Sequence, residues 1–145
     1  MRYLFVMLLA GLLACSGKQE STSNEAAEVA DSDDWTMMDD FHMVMAESFH
    51  PYKDSANLEP AIRLAPEMAE LAARWSESEL PAKVNNEEVK ASLGQLKDGT
   101  AAFVTTVQSG DNEQIARELK TLHDIFHDLQ DAWYSGDNHG HQHKH

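Results

Sequence analysis

Residues 119–133 read LKTLHDIFHDLQDAW. Starting from Ile115, the apolar residues Leu119, Leu122, Phe126, Leu129 and Trp133 step by four, three, four, three and four. At about 3.6 residues per turn this spacing draws one apolar stripe along a helix, and that stripe must be buried against other helices. His123 and His127 stand one turn apart on the neighbouring stripe, so their rings lie side by side. Two imidazoles at i and i+4 can chelate a single Zn²⁺, Cu²⁺ or Ni²⁺. They can equally be two half-exposed surface residues, and the remainder of the chain has to decide between these readings.

Working back from that stretch, the same periodicity recurs three times. A first helix is expected from Asp33 or Asp34, either of which can cap it, to Pro51, with Trp35, Met38, His42, Met45 and Phe49 as its stripe and Phe41 and Val44 widening the face. This places His42 on the apolar stripe. A second helix starts at Asn57-Leu-Glu-Pro60, carries Leu64, Met68, Leu71 and Trp75, and ends before Leu80-Pro81; Pro66 is expected to kink or restart it. A third opens at Asn85 with Glu88 placed for a capping box, and repeats Val89, Leu93, Leu96, Thr100, Phe103 and Val107. Gly110 closes it, Asp111 caps the fourth helix with Gln114 at the reciprocal position, and Gly136 stops the fourth. There is no strand-like alternation and no internal repeat. Four amphipathic helices with short connections predict an all-α, antiparallel up-down-up-down four-helix bundle over residues 34–135.

The flanks read differently. After Arg2 comes an apolar run too short to span a bilayer, ending Leu12-Leu13-Ala14-Cys15. This ending resembles the bacterial lipoprotein signal. The resemblance implies removal of residues 1–14, lipidation of Cys15 and, with Ser16 next, an address at the outer membrane facing the periplasm. Residues 15–33, rich in Ser, Glu, Asn and Ala, then form a disordered tether. The tail, residues 136–145, alternates histidine with other residues, and such tracts collect metal loosely.

Charge and cysteine content narrow the function. The chain has 25 acids and 11 Lys or Arg; without Arg2 the balance is 10 − 25 = −15. Nucleic acid is excluded as a natural partner, and the membrane is engaged through the anchor rather than through basic residues. Cys15 is the single cysteine, so there is no thiolate metal site and no covalent haem attachment.

All four histidines before the tail fall on the first and last helices, which an up-down bundle makes antiparallel neighbours. If Trp35 lies level with Tyr134, His42 is level with His127 and Ala46 with His123. A site of His42, His123 and His127 is then reasonable, with His50 competing for the third place. Met45, Glu47 and Glu59 are possible additional ligands, and Asp39, Asp124 and Asp128 could orient the rings. Glu47-x-x-His50 and Asp124-x-x-His127 have the form of di-iron carboxylate–histidine pairs, but the third helix carries no inward glutamate mid-length.

With a histidine on the last helix and Met38 or Met45 on the first, the bundle also resembles the b-type and c-prime cytochromes in architecture and ligand type. That resemblance implies haem as the alternative cofactor and electron transfer as the alternative function. The missing Cys-x-x-Cys-His departs from c-prime, and His42 and His50 depart from both. No nucleophile, base or phosphate-cradling loop is visible, so no catalysis is expected. The expectation is therefore a lipid-anchored protein binding copper or zinc for buffering, sensing or delivery; a cofactor-free interaction bundle is the remaining alternative.

Overall fold

The computed structural model describes residues 34–136, and the signal, lipidation, tether and tail readings lie outside that range. Four helices account for most of it: α1 (Thr36–Ser55), α2 (Glu59–Glu77), α3 (Glu87–Ser109) and α4 (Asn112–Gly136), with a 3₁₀ turn at Ala82–Val84 before α3. The described residues contain no strand, and the fold is an all-α four-helix bundle. None of its helices is long and apolar enough to cross a membrane.

One core runs through the bundle because each helix turns its stripe inward. On α4 Ile115, Leu119, Leu122, Phe126, Leu129 and Trp133 are all buried, the full stripe expected. An aromatic cluster ties the ends together. Trp35 meets the Trp75 ring edge-on at 5.0 Å and the Trp133 ring at 5.5 Å, and Phe41 lies 5.7 Å from Trp75 and 5.4 Å from Phe126. Numbers rise along α1 as they fall along α4: Trp35 meets Trp133, Phe41 meets Phe126 and Phe49 meets His123. These two helices therefore run in opposite senses, within about three residues of the expected register.

Several boundaries differ from expectation. Pro51 does not end α1, which continues to Ser55. The extra turn is held by Tyr52, which packs on the core beside Phe49 at 6.0 Å, and it closes on Ala56 in the left-handed region, with the Ala56 and Asn57 amides donating to the Tyr52 and Pro51 carbonyls. Trp35, where an aspartate was expected, occupies the N-cap place of α1, without a side-chain hydrogen bond of its own. α2 runs through Pro66 as one helix, and Pro60 sits in its first turn, where no amide is needed. Asn86, not Asn85, caps α3 by accepting from the Val89 amide, which displaces the expected capping box. Thr106 is buried where Val107 was expected. Asp111 does cap α4, accepting from the Glu113 and Gln114 amides, but the Gln114 amide group donates to Glu118 instead of reaching back.

Candidate metal centre

α1 and α4 present matched faces to each other along a shallow seam. His42, Met45, Ala46 and His50 come from α1, and His123, Phe126, His127 and Gln130 from α4; together they line one cavity of about 80 Å³. Both sets follow the i, i+3, i+4 rule of a single helix face, and the small Ala46 side chain leaves room opposite the α4 rings. All four histidines of the described residues thus border the same space.

They do not border it equally. His123 is the most enclosed: its ring lies face to face on Phe49, 3.6 Å between centroids at 16°. Its Nε2 stands 3.1 Å from the His127 Nε2. Two nitrogens bound at about 2.0–2.1 Å to a tetrahedral ion lie roughly 3.3 Å apart, so this pair already has a chelating bite. Its Nδ1 is buried, has no hydrogen-bond partner, and lies 3.6 Å from the Asp124 carboxylate. A carboxylate there favours the proton on Nδ1 and leaves the Nε2 lone pair turned to His127, the tautomer a metal ligand needs. Burial, then the neighbouring His127, push the His123 pKa below the ordinary value of 6.5, with Asp124 opposing them.

His42 and His50 are not joined to that pair. Among the described residues no three His, Cys, Asp or Glu side chains are arranged to hold one ion, so the expected three-histidine cluster is not preassembled. His42 is exposed instead of lying on the apolar stripe, and its ring stacks over Phe126 at 5.6 Å and 30°. Trp35, Met38, Phe41, Val44, Met45 and Phe49 are buried as expected; His42 alone leaves the stripe, and Ser48 joins it. His50 is exposed at the far end of the same cavity. Of the other candidates, Met45 is 1 % exposed and lines the cavity. Glu47 does not; it pairs with Arg63 of α2 at 2.6 Å. Glu59 lies in the first turn of α2, and neither it nor Glu47 borders the site. Gln130 and Phe49 were missed in the sequence as site residues, although Gln130, three residues on, continues the His123–His127 face.

The cavity can accommodate an ion and a water or two. It is far below the roughly 300 Å³ at which organic ligands begin to fit, and Phe41, Phe126, Trp75 and Met45 fill the space beneath it. No family model matches this chain, and comparison with curated proteins and with solved structures gave no significant match.

Proposed function

We propose that this chain is a lipid-anchored protein of the bacterial envelope, at the outer membrane facing the periplasm, that binds a transition metal, copper or zinc, for buffering, sensing or delivery. The observation that carries the reading is the convergence of His42, His50, His123 and His127 on one small cavity, with the two α4 imidazoles held 3.1 Å apart. His123 and His127 form the core of the site, and a rotamer change of exposed His42 or His50 completes it. The acidic balance of the chain draws cations toward it. Its role is binding, not catalysis.

The test is a Zn²⁺ and Cu⁺ titration of the chain with His139, His141, His143 and His145 changed to alanine, which removes the tail's own affinity. One ion per chain is expected. At a free-metal excess of about 100-fold over Kd the folded state gains about 2.7 kcal/mol, read as a rise in Tm on the order of 10 °C. His123→Ala should abolish that rise. Absence of binding, or binding indifferent to His123→Ala, would leave a cofactor-free interaction bundle as the better account.

A further inference from the structure

We infer that the ion is copper, held as Cu⁺, with the Met45 thioether joining the imidazoles; this rests on the metal-binding reading above. Two observations carry it. The first is the donor set. The cavity is lined by four imidazoles, one thioether and one carboxamide, with no carboxylate and no thiolate. Glu47, the nearest acid on α1 by sequence, is held away by Arg63, and Asp124 stands against the Nδ1 side of His123, opposite the atom that faces His127. Hard ions that want oxygen ligands find almost none here. Imidazole serves zinc and copper alike, whereas a thioether is a soft ligand that selects Cu⁺.

The second is the surroundings. Met45 is 1 % exposed, and Phe126 and Phe49 wall the His123 side. An ion bound there keeps its whole charge, because every donor is neutral. His42, His50 and His127 are exposed, so only the Met45 and His123 side of the site is apolar; on that side the cost of placing charge grows as its square, and a divalent ion carries the larger penalty. Both arguments favour Cu⁺ over Zn²⁺, and both depend on Met45 lying at the floor of the cavity instead of elsewhere in the core.

The experiment uses the full chain with the four tail histidines changed to alanine. Affinities are read by competition with a chromogenic Cu⁺ chelator under anaerobic reducing conditions and with a chromogenic Zn²⁺ chelator. Met45→Leu keeps the volume and removes the sulfur. Tighter binding of Cu⁺ than Zn²⁺ is expected, with Met45→Leu weakening Cu⁺ by about tenfold or more and leaving Zn²⁺ within about twofold. Copper-edge X-ray absorption on the unsubstituted Met45 chain reads the same point without a core substitution: a sulfur shell is expected beside the nitrogen shell. Zn²⁺ bound as tightly as Cu⁺, or copper bound without a sulfur shell, overturns this inference and leaves the metal-binding reading standing. If neither ion binds, that reading falls and the copper assignment falls with it.

Discussion

His123 is pressed onto Phe49 and faces His127; burial first, and then the neighbouring His127, disfavour a charged ring. The sign of the consequence follows from proton linkage. In the unfolded chain this histidine takes up a proton near its ordinary value of 6.5; in the folded chain it does so only at lower pH. Between those values the unfolded state binds more protons, so stability falls as pH drops from above 6.5 through that window. Urea unfolding at pH 7.5 and 5.5 should show a smaller acid loss for His123→Gln than for the native chain; equal losses would remove the burial argument. A second residue makes a separate prediction. Ser48 is fully buried on α1 and its hydroxyl has no partner. Ser48→Ala relieves that unpaired group and should stabilise the fold by about 1 kcal/mol, measured by the same unfolding curves. Neither feature is visible in the sequence. The i,i+4 histidine pair was legible from spacing alone, but the partner that flattens against His123, and the burial of a serine among methionines, depend on how helices from distant parts of the chain meet.

On α4 the stripe was legible because the large apolar residues, Ile125 and Tyr134 apart, fall on one face, so periodicity has a single solution. α1 was harder. Met37, Met38, Phe41, Met43, Val44 and Met45 put apolar side chains on most of its circumference, and two adjacent stripes fit the pattern equally. Packing chose between them: Phe41 meets both Trp75 and Phe126, contacts His42 could not have replaced, so His42 moved to the rim. The prolines misled for a related reason. A local rule stops a helix at Pro51, yet the ring sits within the last turns of α1, where one lost hydrogen bond is offset by burying Tyr52. Glycines in α3 give the prediction proper to this scale. A β-carbon at Gly94 would meet nothing within 4 Å, while one at Gly99 would come 2.9 Å from the Leu122 side chain. Gly94→Ala should stabilise by about 1 kcal/mol through helix propensity, and Gly99→Ala should gain less or lose stability because buried Leu122 must shift. Comparable gains from both, by thermal unfolding, would show that α3 and α4 are not in the close contact described.

For the whole molecule, the bundle was readable from four periodic runs, and the α1–α4 register followed to within about three residues from assuming antiparallel neighbours. Four histidines on one seam were therefore predictable, whereas their degree of assembly was not, since it depends on rotamers that only packing decides. On the proposed reading, the His123–His127 pair is half of a metal centre built in advance, with two exposed histidines on the opposite helix. The central claim is that imidazoles from both helices close on one ion. It is tested most directly by ¹⁵N imidazole NMR of the chain during a Zn²⁺ titration to one equivalent, Zn²⁺ being diamagnetic and, unlike Cu⁺, stable to oxidation in air. The account predicts coordination shifts at Nε2 of His123 and His127 together, accompanied by His42 or His50, before the tail histidines respond. Shifts confined to His139, His141, His143 and His145, with the four bundle histidines unmoved, would contradict it.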